Sequence, residues 1–355
     1  MVAIATWFLR AARFPRDRIR EINRKILLRE VIVVKAIVFD KLGGPEVMKI
    51  AEVPKPEVKP GMVLIKVRAA GINFADTLFR QGKYMMQPQL PDTPGVECSG
   101  EIDAVGAGVT NFKVGQRVAA LGSKMYAEYA LAPAAQVIPL LDSIGFAEGA
   151  AFPIQVLTAW HMIHTAHKTA PGQTVLVHSA AGGVGIVAVQ IAKAAGARVI
   201  GTVSNDGKFA LVKEHGADDV INYVTHDFAA EANRLTGGRG VDLILDAVGA
   251  TTLEKGLTCL APFGHLILYG RAGGPPEPLN LFKLFEKSAK VSTFTLYTVS
   301  AMPEVMGRGI EESLKLMAEG KLKLVIGKSF PLADAAAAHE FMESRNSTGK
   351  LILTP

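Results

Sequence analysis

From residue 175 the chain reads VLVHSAAGGVGIVAVQIAKAAGARVIGTV: a β-branched apolar run, a glycine cluster, a helical pattern and a second apolar run. Apolar runs of this length without polar alternation suit strands buried on both faces, and a helix between two such strands carries the chain back to lay them parallel. The pattern recurs, with apolar runs at 175–179, 198–203, 241–245 and 265–269 and helical patterns at 184–195, 207–215 and 251–260. Repetition of strand and helix predicts a doubly wound parallel sheet over 155–297. At its first turn Ala180, Gly182 and Gly185 stand at the three positions of the dinucleotide fingerprint, with Gly183 and Val184 completing the turn. Gly182 lets backbone approach a pyrophosphate, Gly185 lets the helix pack close to the strand, and the helix N-terminus supplies N–H groups and a positive dipole end. The turn follows an expected strand and opens an expected helix, which is the context that gives the pattern meaning.

The end of the second strand selects the nucleotide. An acid there bonds ribose hydroxyls and repels a 2′-phosphate, whereas this chain has Ser204, followed by Lys208 and, after the next expected strand, Tyr223. A hydroxyl, an ammonium and a phenol favour NADPH; Asp206 is the opposing feature.

Residues 35–154 have another texture, with short β-type runs such as KAIVF, MVLIKVRAAG and AEYALAP set between Pro and Gly, as in PKPEVKPG. An irregular, barrel-like β domain is expected here. The segment 298–355 holds a helix near 304–319 and a last β-like GKLILT, which suggests a return to that first domain. The overall expectation is an α/β chain of two domains, in keeping with 355 residues.

The net charge of +6 is a property of the N-terminal leader, because residues 1–34 carry eight basic and three acidic side chains and the remaining 321 residues are near neutral. This argues against a nucleic-acid partner. Apolar residues precede the arginines in MVAIATWFL, the reverse of a secretory signal. The leader is expected to be a non-functional extension, with Val34 as the true first residue; a membrane-surface or targeting segment is the alternative. No apolar run reaches the roughly 18 residues of a spanning helix. Two distant cysteines, Cys98 and Cys259, form neither a disulfide framework nor a zinc cluster and fit a reducing cytoplasm.

The segments AAGINFADTLFRQGKY (69–84), PGVECSGEIDAVGAGVTNFKVGQRVAAL (94–121), AAGGVG and DAVG resemble the zinc-independent quinone oxidoreductase (zeta-crystallin-like) family of the medium-chain dehydrogenase/reductase superfamily. The resemblance spans 35–355. It implies a cytosolic homodimer with a GroES-like catalytic domain and a Rossmann domain, using NADPH to reduce quinones or related activated carbonyl compounds. Lys208 and Tyr223 match the family's residues beside the 2′-phosphate, and backbone around Gly249 and Gly270 is implied to hold the nicotinamide in the cleft.

Zinc alcohol dehydrogenases of this fold have a Cys where Asn73 stands and a Gly-His-Glu where this chain reads Gly95-Val96-Glu97, so no metal is expected. His161, His164 and His167 spread around a helix and are expected to be solvated near its C-terminus. Without a metal the reaction relies on position. A quinone accepts hydride directly because its own ring stabilises the anion. Asn73 is the candidate donor to the acceptor oxygen, Tyr84 a second donor or a relay from water, and Asp76 a structural acceptor holding the loop. Alternative functions are reduction of an enoyl or alkenal double bond, and NADPH binding with little turnover.

Overall fold

The computed structural model describes residues 32–355. Strands Thr174–Val177, Arg198–Val203, Asp219–Asn222, Val241–Asp246, Leu260–Leu268 and Lys290–Thr293 form one six-stranded sheet in which every neighbouring pair is parallel. Arg198–Val203 and Asp219–Asn222 lie on one side of Thr174–Val177, and the later strands extend from its other side. The winding therefore reverses beside the first strand, which opens a crevice at the carboxyl ends of the strands. Thr174–Val177 and Val241–Asp246 are buried along their whole length, the reason their sequences lack polar alternation. Helix Gly183–Ala194 is buried around most of its circumference, so its apolar residues form no single stripe.

The β-rich half folds as a seven-stranded sheet. Met62–Ile72 is its centre, bonded antiparallel to Glu97–Val105, Tyr129–Pro133 and Lys350–Thr354. Register shifts between Leu64 and Ile65 and between Val67 and Ala69 bend this long strand and curl the sheet. The curl does not close: Ile326–Pro331 ends the sheet on one side and Val137–Pro139 on the other, so the barrel-like domain is an open sheet. Val33 and Val34, counted with the expected leader, instead open the strand Val33–Val38, which pairs with Lys49–Pro54. The rest of the leader, residues 1–31, lies outside the described residues.

The last strand, Lys350–Thr354, also pairs with Ile326–Pro331, so the end of the chain is built into the first sheet. Helix Pro303–Ala318 is not part of that return. It packs on helix Pro153–His161, with Gly309 against the His161 ring and Met306 in the same core as Trp160. Among the described residues no helix is long and apolar enough to cross a membrane.

Candidate active site

The strand Thr174–Val177 runs into a turn in which Ser179 adopts a positive φ of 54° and its carbonyl accepts the Gly182 N–H at 2.9 Å. The helix Gly183–Ala194 starts directly over this turn. Any Cβ on Gly185 would lie 2.2 Å from the Ser179 oxygen, so the close approach of helix to strand demands glycine there. Gly182 differs. A Cβ at that position would meet only Ser179 O, at 3.3 Å, so the protein's own packing does not exclude a side chain. The space it would fill borders the helix N-terminus, beside the partly exposed Gly183 and Val184. Such a cradle fits a pyrophosphate. Beside it Gln155 is buried with both amide atoms unpartnered, its Oε1 2.6 Å from where a Gly183 Cβ would stand.

Ser204 and Tyr223 sit on neighbouring strand ends, since Asn222 pairs with Val203 and the Tyr223 N–H donates to the Val203 carbonyl at 3.1 Å. Lys208 closes the short 3-10 turn Asp206–Lys208, and its ammonium donates to the carbonyls of Arg345 (2.9 Å) and Ser347 (3.2 Å). Burial lowers its pKa. The opposing Asp206 carboxylate is engaged by Asn222 Nδ2 at 2.7 Å. Gly249, at φ 85°, and Gly270 follow the ends of Val241–Asp246 and Leu260–Leu268. The buried Asp246 carboxylate shapes the first of these loops by accepting from Val248 N (2.7 Å), Gly249 N (3.1 Å) and Thr252 Oγ1. Ala180, whose N–H donates to Thr202 O at 3.0 Å, completes a row of candidate nucleotide residues along the carboxyl ends of the sheet.

The second half of the site lies across from this row. Asn73, in extended backbone, precedes helix Phe74–Arg80. Lys350 Nζ donates to its Oδ1 at 2.7 Å, and its Nδ2 donates to Glu97 Oε1 at 2.8 Å. A lysine has only donors and a carboxylate only acceptors, so the amide has one possible orientation. One Nδ2 hydrogen remains free on a partly exposed residue. Lys350 and Glu97 form an ion pair whose side chains are 3% and 0% exposed. Glu97 Oε2 also accepts the Ile154 N–H at 2.7 Å. At the two positions where zinc dehydrogenases carry these ligands, this chain holds Asn73, bonded to Lys350 and Glu97, and Val96. Among the described residues no group of three or more His, Cys, Asp or Glu comes together to hold a metal ion.

Asp76 is buried and accepts from Asn73 N (2.8 Å) and Tyr126 Oη (2.9 Å). Burial is the main cause that lifts its carboxyl to about 6, against the opposing effects of those bonds and of Lys350. Tyr84 is half-buried, and its pKa is raised first by burial, then by Asp76, with Arg271 acting in the opposite sense. Arg271 follows Gly270 in the nucleotide-binding half, so Tyr84 stands in the field of both halves.

The three histidines depart from expectation. The helix end widens into a π-helix at Met162–His167, and helix Pro303–Ala318 covers His161. His161 is buried, bonded through Nδ1 to Thr165 Oγ1 at 2.9 Å, and burial lowers its pKa to about 4. His164 and His167 are partly exposed and are lowered by burial too, so His161 is not solvated and the expected positive character is disfavoured across the cluster.

The halves are stitched together at the site. Gly349 N donates to Ala181 O at 2.8 Å, one residue before Lys350 reaches Asn73. Two family models match, the alcohol dehydrogenase GroES-like domain over residues 59–142 and the zinc-binding dehydrogenase over 183–311. A curled antiparallel sheet and a parallel nucleotide sheet meeting at such a junction define an oxidoreductase of the medium-chain dehydrogenase/reductase superfamily. Quinone oxidoreductase of Pseudomonas aeruginosa is 38% identical over 326 residues, covering 91% of this chain and 100% of the relative. The 2-haloacrylate reductase of a Burkholderia species is 36% identical, covering 91% of this chain and 99% of the relative. The crystal structure of Escherichia coli quinone oxidoreductase complexed with NADPH superposes with a TM-score of 0.87 at 34% identity, over 90% of this chain and all of that one. The chain belongs to the quinone oxidoreductase family.

Sequence reasoning missed Lys350, Gln155 and Arg271. In the sequence Lys350 is visible only as the first residue of a largely apolar strand.

Proposed function

We propose that this protein reduces quinones by hydride transfer from NADPH without a metal ion. The observation that carries the chemistry is the fixed Asn73 amide, held by Lys350 and Glu97 with one N–H left to donate. The relatives named quinone oxidoreductase and the NADPH complex of one of them support the substrate class and the cofactor. When bound, NADPH supplies the hydride. Ala180, Gly182, Gly183, Val184 and Gly185 hold its pyrophosphate, while Ser204, Lys208 and Tyr223 surround the 2′-phosphate. Loops at Gly249 and Gly270 wall the nicotinamide end.

Asn73 donates to the acceptor oxygen as negative charge grows there, a role that favours the transition state over the ground state. Its donor is preorganised because its two flanking partners are buried and paired with each other. Tyr84 keeps its phenolic proton, since burial and Asp76 raise its pKa, and it passes a proton from cleft water. Asp76 holds the Asn73 backbone and donates nothing. A second reading, reduction of an activated carbon–carbon double bond, is favoured by the 2-haloacrylate reductase relative. A panel of quinones and enones followed at the reduced-nicotinamide absorbance tests both. Oxidation of NADPH by a small ortho-quinone is expected to be faster than by an enone; the reverse order makes double-bond reduction the function, and no turnover with either overturns the enzymatic reading.

We further propose a cytoplasmic homodimer that needs no nucleic acid. The outer edge of Lys290–Thr293 has no strand partner among the described residues, and exposed Phe282, Phe285 and Tyr297 flank it in sequence, which supports a second copy there. Cys98 and Cys259 are free and buried, in keeping with a reducing compartment. The catalytic unit comprises residues 35–154 and the terminal segment, and the nucleotide unit runs on through Ala318.

A further inference from the structure

We propose that His339, on the C-terminal helix Ala335–Glu343, is a positioning residue for Asn73, acting through a hydrogen-bond chain that has only one possible direction. The inference rests on Asn73 as the donor to the acceptor oxygen. The chain starts at Arg80, whose Nη1 lies 2.9 Å from His339 Nδ1. A guanidinium has no acceptor, so Nδ1 accepts and the imidazole proton is on Nε2. Nε2 lies 3.2 Å from Tyr126 Oη and donates to it. The Tyr126 O–H is then free to donate to Asp76 Oδ2, at 2.9 Å. The same Asp76 oxygen accepts the Asn73 N–H at 2.8 Å. A donor-only group at one end and a carboxylate at the other leave no second arrangement.

The origin is itself held. Arg80 Nη2 donates to Glu343 at 2.6 Å and Nε to Gly43 O at 3.1 Å. Arg80, His339 and Tyr126 are fully buried, and Asp76 is 2% exposed. Burial and then Arg80 push the His339 imidazole down to about 3, so it stays neutral at working pH. The Tyr126 ring meets His339 edge-on at 5.7 Å and packs so closely on Gly95 that a Cβ there would lie 2.4 Å from it. Because Arg80 does not release its proton, the chain delivers none to the product. It fixes where helix Phe74–Arg80 begins, and with that the placement of the Asn73 amide.

The test is a double-mutant cycle of Tyr126→Phe with Asn73→Ala, read as kcat and KM for a quinone, with His339→Gln and His339→Leu alongside. Tyr126→Phe is expected to lower kcat by about 5- to 30-fold with KM for NADPH unchanged, and to have less than about a 2-fold further effect in the Asn73→Ala background. His339→Gln, which can still accept from Arg80 and donate to Tyr126, restores most of the rate that His339→Leu loses. An equal slowing by Tyr126→Phe in both backgrounds overturns the positioning role and leaves Asn73 as the donor. So does a parental kcat in Tyr126→Phe, which keeps the assay decisive if His339→Leu fails to fold. A parental rate in Asn73→Ala alone overturns the Asn73 role, and the positioning role with it.

Discussion

Replacing Lys350 by Met removes a buried cation and leaves the groups around it in place. Glu97 keeps two donors, Asn73 Nδ2 and the Ile154 N–H, and loses its only counter-charge within ion-pair distance among the described residues. Asn73 Oδ1 loses the donor that orients the amide. With side-chain exposures of 3% and 0%, water does not replace the ammonium without opening the fold. Breaking such a pair from one side costs about 3–5 kcal/mol. For a domain of this size each kcal/mol moves Tm by about 2–4 °C, so Lys350→Met is expected to lower the melting temperature by roughly 6–20 °C. The double variant Glu97→Gln with Lys350→Met removes both charges, and it is expected to recover a large part of the loss, because replacing a buried pair outright is far less costly than halving it. Melting curves of parent, both single variants and the double variant at one pH measure this. A Lys350→Met protein melting within about 2 °C of the parent would refute the account of a dry, paired carboxylate.

Lys208→Ala should weaken NADPH binding by about 1.5–3 kcal/mol and leave NADH nearly unchanged, because the ammonium exchanges the Arg345 and Ser347 carbonyls for the 2′-phosphate; titration with both nucleotides checks this, and equal losses would contradict it. Asn73→Ala should reduce kcat and kcat/KM together by about 10- to 1,000-fold, whereas Tyr84→Phe, which keeps the ring, should cost about 10-fold or less; parental quinone reduction by Asn73→Ala would make the residue a loop stabiliser. Asp76 gives a pH signature. Its folded-state value of about 6 lies above the usual 3.8, so its contribution to stability is complete below 3.8 and is lost as pH rises through about 6, by about 3 kcal/mol at most. Asp76→Asn should remove that slope from a plot of stability against pH, and an unchanged slope would place the titration elsewhere.

The nucleotide half was largely legible because strands buried on both faces must be apolar throughout. Arg198–Val203 matches its expected run at both ends. Leu260–Leu268 begins earlier than its apolar pattern at 265–269, since Ala261-Pro262-Phe263-Gly264 reads as a turn. The strand passes through that irregularity, with Phe263 at φ 63° and a register shift against Val241–Asp246. The burial of His161 departs from the expected solvated cluster because neither the π-turn nor the covering helix leaves a local signal in the sequence. Lys350 was hidden for a different reason: its partners are Asn73 and Glu97, and no short-range pattern records a pairing between the two ends of a chain. Asn73 and Asp76 stand out as candidates through their motif, while the Tyr126 and His339 bonds that fix them arise only from packing.

Two dipeptides bridge the turn after Thr174–Val177 and the Asn73 amide. In Gly349-Lys350 the first residue bonds Ala181 and the second bonds Asn73; in Ile154-Gln155 the first bonds Glu97 and the second lies against Gly183. Consecutive Cα atoms across a trans peptide are about 3.8 Å apart. The two seats are thus set at a spacing of one residue, twice over. For protein engineering this makes the junction a poor crossover point. A chimera that takes its nucleotide half from another reductase inherits a working seat only if both dipeptides come in register, and a single-residue insertion between Gly349 and Lys350 should uncouple hydride delivery from acceptor placement while leaving each half folded.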